Sequence, residues 1–222
     1  MEEIIKISIY IHAFFGGIGL ISGLGSILVK KGRYSHIRLG RIFSYSMIIS
    51  SLISLVISNL PNHKNLFLFL IGIFTIYLVL AGNQALTFKN KAKEHASLTD
   101  QLISGIMMAA SMITITIGII GLFQETPNSV LYLFFGGLGG FMTVKDFRFF
   151  RSFKKDKKLW LKNHLGRMIG ALIASITAFI VAGLNVGTIF FWIAPSILGS
   201  VYIAYWNKKL QNKTVANKIF AK

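Results

Sequence analysis

The side chains able to do chemistry in this 222-residue sequence are five histidines, seven acids and a set of arginines, with no cysteine among them. Thiolate ligands, cysteine nucleophiles and disulfides are therefore excluded. His36, His95 and His164 lie close in sequence to lysines, arginines and the acids Glu94, Asp100 and Asp146. Three imidazoles and a carboxylate make a donor set for zinc or iron, but their spacing forms no compact metal motif and the surrounding charge repels a cation. They are weak candidates, and no metal is assigned. Haem held between helices needs paired imidazoles at equal depth in apolar surroundings, and only His12 lies in an apolar run. Anion binding is the other chemistry on offer, because the guanidinium groups of Arg38, Arg41, Arg148, Arg151 and Arg167 suit phosphates and lipid headgroups. Within this set His36, Arg41, Asp146, His164 and Arg167 are the leading candidates for a small polar ligand- or lipid-binding site. An aspartate there would hold an arginine fork, and a histidine would add a pH-sensitive donor. His12 is a separate candidate as an ionisable group within the membrane; the plainer alternative is a neutral ring bonded to a hydroxyl such as Thr116 or Ser58. No cofactor is named by the sequence.

The elements that must position these residues are almost wholly apolar. Hydrophobic residues make up 54% of the chain and charged ones 14%, with a mean hydropathy of +0.64. Charge-free runs separate Lys6 from Lys30, Arg41 from Lys64, Lys64 from Lys89, Asp100 from Glu125, and Glu125 from Lys145. Each reaches about 19 residues or more, enough to cross ~30 Å of hydrocarbon. A sixth run, 168–207, is about twice the length one span needs and reads as a hairpin. Its turn is marked by Gly183, Asn185 and Gly187, residues that supply left-handed backbone conformations. The expected spans are 7–29, 41–60, 66–87, 100–123, 129–147, 164–184 and 187–206. Lipid offers the backbone no hydrogen-bond partner and no alternation of a barrel strand is present, so the spans are helical. The fold class is an all-α integral membrane bundle of about seven helices, with one domain over 1–207 and a basic tail over 208–222.

A net charge of +17 would suggest nucleic acid in a soluble protein, but here the charges sort by membrane side. Of 24 lysines and arginines, all but Lys6 and Lys64 fall in the loops 30–41, 89–93 and 145–167 or in the tail. That bias places the N-terminus outside and the C-terminus in the cytoplasm. It makes anionic lipid headgroups the expected partners and gives nucleic acid no part. The acidic start at Glu2 and Glu3, with no basic n-region or small-residue cleavage pattern, argues against a cleaved signal peptide. No acid or base is expected deep inside a span, which argues against ion-coupled transport.

Small residues four apart mark the faces on which membrane helices approach closely. Gly166, Gly170, Ala174, Ala178 and Ala182 form such a stripe and put the sixth helix near the bundle centre; shorter pairs are Gly19 with Gly23 and Gly136 with Gly140. Trp160, Trp192, Tyr205 and Trp206 read as interfacial anchors. Pro195 predicts a kink, with Ser196 or Ser200 near the freed carbonyls. Ser97 and Asp100 read as a helix start.

Several local patterns resemble a family of uncharacterised bacterial multi-pass membrane proteins, domain of unknown function 2306. They are His12 with Gly16; Lys31, Gly32, His36, Gly40, Arg41 and Met47; and Asp146, Arg148, Trp160, His164, Arg167 and Met168 running into Ala174, Thr177, Phe179 and Asn185. The resemblance implies one membrane domain in the bacterial cytoplasmic membrane and draws attention to His12, His36, Asp146, His164 and Arg167, but it carries no reaction. The His-x-x-x-His of seven-helix membrane hydrolases is absent. The leading reading is thus a cytoplasmic-face polar site, the runner-up a histidine-dependent redox or metal enzyme, and the third a helical scaffold.

Overall fold

The computed structural model describes residues 2–219. It consists of seven long helices: α1 (Glu2–Leu28), α2 (Tyr34–Ile57), α3 (Leu66–Ala85), α4 (Leu98–Phe123), α5 (Ser129–Ser152), α6 (Leu159–Ala178) and α7 (Ile189–Ile219). All seven are long and apolar enough to cross a membrane. A 3-10 turn, Leu86–Lys89, follows α3, and a π-helical turn, Phe179–Gly183, follows α6. Most of the helices extend past the charge-free runs that predict them. Backbone hydrogen bonding does not stop at a lysine or arginine, whose long stem lets the charged head reach the interface. The expected tail from 208 accordingly begins as a continuation of α7, and its residues 220–222 lie outside the described ones.

Local chemistry accounts for the starts of α3, α4 and α6. Asn65 accepts from Leu68 N–H at 3.1 Å, and Ser97 with Asp100 closes the reciprocal capping box that the sequence predicts. Before α6, Asp156 accepts from Lys158 N–H at 2.9 Å and pairs with Lys162 at 3.1 Å. The Lys158 N–H bond holds its carboxyl below the usual range. The α6–α7 turn falls where the sequence puts it, but Asn185 (φ 55°) supplies the left-handed residue there rather than either flanking glycine. Asparagine tolerates that region because its short amide bonds locally.

The hub of the bundle is α3, which touches α2, α4, α5 and α6. Leu78 and Val79 on it are fully buried. This corrects the expectation that the small stripe of α6 marks the centre. Gly166 has nothing within contact distance of an added Cβ, and Ala178 and Ala182 are exposed. The helix instead buries Arg167, Ala171 and Ser175, four apart on the adjoining face, together with Gly170. Glycine does set the other approaches. Gly19 lies under Met47, Gly23 lies under Leu172 and Phe43, and α4 meets α5 across Gly118, Gly121, Gly136 and Gly139. An added Cβ on Gly140 would meet Ser111 of α4 at ordinary contact distance, 3.8 Å, and Gly139 makes the tighter approach.

Aromatic clusters close both ends. Phe67, Tyr132, Phe135 and Trp192 pack edge-on at one end, so Trp192 is a packing residue. At the other end Phe88 meets Phe149, Phe150 and Phe153. There Trp206 carries Lys209 over its ring and Lys89 lies over Trp160. Pro195 lies within α7 as predicted, while Ser200 bonds the Ser196 carbonyl at 2.7 Å and not the one that the proline frees.

A Cβ on Gly136 would come within 3.0 Å of the Ile115 backbone nitrogen, whereas one on neighbouring Gly137 meets nothing. Gly136→Leu is therefore expected to destabilise the bundle by on the order of 3 kcal/mol, because two backbones must separate. Gly137→Leu should be tolerated. Melting temperature and monodisperse yield in detergent measure the contrast.

Candidate functional site

The polar centre of the molecule is built on four helices. Asp146 of α5 and Arg167 of α6 are each 4% exposed. Arg167 Nη2 donates to Asp146 Oδ1 at 2.6 Å and to the Met142 carbonyl at 2.7 Å. The second carboxylate oxygen accepts from the Tyr77 hydroxyl of α3 at 2.5 Å and from the Ser104 hydroxyl of α4 at 3.1 Å. The guanidinium also lies 5.7 Å from the centre of the Tyr77 ring. Asp146 stands six residues before the end of α5 and Arg167 eight residues after the start of α6, which at 1.5 Å per residue is about 9 and 12 Å from those helix ends.

This corrects the expectation that no acid or base lies deep in a span. Arg167 bounds one charge-free run and Asp146 follows Lys145, which bounds another, so the runs themselves look empty. The helices extend beyond them, and the two charges turn inward as a pair. Pairing makes that burial tolerable, since an isolated charge in such surroundings costs several kcal/mol. α5 and α6, consecutive in the chain, are not among the closely packed helix pairs. The arginine side chain spans the gap between them.

A crevice of about 10 Å³, room for roughly one water, reaches this centre from the end bearing the α3–α4 loop. Asp146, Ser104, Asp100, Gln84 and Asn163 line it with the Phe88 and Phe149 rings. Asp100 is 3% exposed. Its Oδ2 is bound by Lys93 at 2.6 Å and by the Ser97 amide and hydroxyl, both at 2.8 Å, but Oδ1 is buried with no partner. Lys93 sits over the Phe88 ring at 3.6 Å and donates to Thr87 at 2.7 Å, so the loop lysine bonds or touches two residues of the crevice wall and the turn beside it. Arg167 Nε is likewise buried without a partner. Two orphaned polar atoms, one acceptor and one donor, flank this region.

Two histidines play matching roles at helix ends. His36 Nδ1 contacts the Ser26 carbonyl in the last turn of α1 at 3.0 Å, and His164 Nδ1 contacts the Gly82 carbonyl near the end of α3 at 2.8 Å. A helix leaves its final carbonyls without intrahelical donors, and each ring, as the Nδ1–H tautomer, donates to one of them. Lys31 adds a bond to the Ile27 carbonyl beside His36, and burial pulls its ammonium below the usual range. Ser44 and Asn83 carry the polar layer between α2 and α3 at 3.1 Å.

The remaining predicted residues lie elsewhere. Arg41 is on the exposed outer face of α2, and His95 is exposed in the α3–α4 loop. His12 joins α1 to α2 through the Ser50 carbonyl and hydroxyl at 2.9 and 3.0 Å; its partner is neither Thr116 nor Ser58. The structure does not gather His36, His95 and His164, and among the described residues no three His, Asp or Glu side chains group closely enough to hold a metal. Sequence reasoning missed Tyr77 and Ser104 as site residues and read Asp100 as a cap and as one of the acids beside the histidines. A lone phenol in the middle of the third span was the available signal. Comparison with family models, curated proteins and solved structures finds no match.

Replacing Asp146 by Asn leaves Arg167 charged and buried, and is expected to cost about 3–5 kcal/mol. Exchanging both groups, as D146N with R167M, removes the stranded charge and should cost clearly less than the two single losses added together. Thermal unfolding of the four proteins in one detergent measures the coupling; simple additivity would mean that the pair contributes no joint term.

Proposed function

We propose that this protein is a multi-pass component of the bacterial cytoplasmic membrane that binds a small polar molecule or lipid headgroup through a site near its cytoplasmic end. The observation that carries this reading is the buried Asp146–Arg167 pair, met by a crevice lined by Asp100, whose Oδ1 is buried and unpartnered. Ionisable groups inside a membrane bundle are costly and are characteristic of function. Asp146 and Arg167 position the site, Asp100 offers an acceptor to an entering hydroxyl or ammonium group, and Lys93 binds the other oxygen of Asp100. His36 and His164 fix the ends of α1 and α3, and Arg41 belongs to the same basic face of the molecule. The proposed topology, N-terminus outside and C-terminus in the cytoplasm, rests on the loops that hold all but two of the 24 basic residues. Kinship with domain of unknown function 2306 is part of the same proposal, resting on the residues quoted from α1, α2, α5 and α6.

A cytoplasmic reporter inserted after Lys158 is expected to be active, and an active periplasmic reporter there would reverse the topology. Native mass spectrometry of protein purified from its own membranes tests the site. The expected result is a bound polar molecule retained by the wild type and lost from Asp100→Asn. A Soret band, or stoichiometric zinc or iron, would replace this reading with a redox or metal-dependent one.

A further inference from the structure

The outer face of α2 carries a second polar feature, separate from the buried pair. Tyr34, Arg38, Arg41 and Tyr45 follow one another at spacings of three and four, so they lie in one line along the helix. With Ile37 and Ile42 they line a shallow groove. Tyr34 and Tyr45 are 74% and 68% exposed, so neither ring is used by the bundle. No ion pair forms to either arginine among the described residues. Two unpaired guanidinium groups thus stand together on a helix long and apolar enough to cross a membrane.

The helix end beside them is short of negative charge. α2 begins without a side-chain cap and without an acid in its first turn, leaving the first amides and the positive end of the dipole uncompensated. Helical side chains lean towards the N-terminus, so Arg38 and Arg41 extend in that direction. Beyond Tyr45 the same face continues as exposed Ile49, Leu52 and Val56, a track of apolar side chains running down the helix. The order along one face is uncapped amides, aromatic ring, two guanidinium groups, aromatic ring, then aliphatic residues. A phosphodiester headgroup followed by acyl chains has the complementary order, and tyrosine is suited to the level of the ester groups.

We propose that this face of α2 is a binding site for an anionic phospholipid, with Arg38 and Arg41 forking its phosphate and Tyr34 and Tyr45 flanking the headgroup. The acyl chains lie along Ile42, Ile49, Leu52 and Val56. Plain positive-inside charge explains basic residues in any cytoplasmic loop, but not two unpaired arginines inside a helix, between two exposed tyrosines, above an aliphatic track. The inference is independent of what the Asp100 crevice binds.

The test uses full-length protein in nanodiscs of phosphatidylcholine containing a minority of phosphatidylglycerol, released and weighed by native mass spectrometry. Wild type is expected to retain phosphatidylglycerol in preference to phosphatidylcholine. R38Q/R41Q should lower that retention roughly 30-fold, the product of two near-surface contacts, while K154Q/K155Q, which removes equal charge from the α5–α6 loop, leaves it unchanged. R38K/R41K keeps the charge and topology signal but loses the fork, and should bind several-fold more weakly. Equal losses in the two Gln pairs would reduce the effect to bulk charge and overturn the site; undiminished retention by R38K/R41K would overturn the forked contact. Inorganic phosphate at millimolar concentration should not displace the lipid, and displacement would identify a free-anion site in its place.

Discussion

The arrangement of α3, α4, α5 and α6 depends on one buried ion pair. In hydrocarbon or in a packed helical interior, neither Asp146 nor Arg167 is tolerable alone. Each must meet the other and find donors or acceptors for what remains. Arg167 reaches across from α6 to Asp146 and the Met142 carbonyl of α5, and the carboxylate collects hydroxyls from Tyr77 of α3 and Ser104 of α4. Because α5 and α6 are joined by a loop without being closely packed, the side chain does the work that a glycine contact does between α4 and α5. The interior is thereby organised in two ways: close backbone approach where glycines allow it, and a long polar reach where they do not.

That reach has a geometric consequence. Holding two helices apart by an arginine side chain leaves space beside the pair, and the Phe88 and Phe149 rings fill it incompletely. The crevice is the residue of that mismatch, with Asp100 at its wall for a local reason, since the same carboxylate caps α4. A capping acid uses one oxygen for the helix and the loop lysine and leaves the other buried without a partner. Cap chemistry and site chemistry thus fall on one residue.

The histidines show how an apparently functional motif can have a structural basis. His36 and His164 both stand near a helix start and shortly before Leu-Gly-Arg, and both reach the last-turn carbonyls of another helix. Equivalent sequence settings give equivalent bonds, with α1 and α3 as the helices completed. The Nδ1 atoms are committed to carbonyls, so any further chemistry of these rings belongs to their Nε2 atoms.

The sequence by itself determined the number of helices and their order, while several helices run five or more residues past the expected ends. Lipid leaves a charge-free run of this length no backbone solution except a helix, and Ser97 and the Gly183–Gly187 region announce themselves locally. It also singled out Asp146 and Arg167. Only the tertiary structure decided which face of each helix packs. Gly166, Ala178 and Ala182 turn away while Arg167, Ala171 and Ser175 turn inward, because the favourable pairing of one arginine outweighs the close approach that small residues offer. Tyr77 and Ser104 joined the site for the same reason: a hydroxyl's role in an apolar helix is fixed by what lies across from it, 69 and 42 residues away from Asp146 in sequence, and no local pattern encodes a partner at that separation.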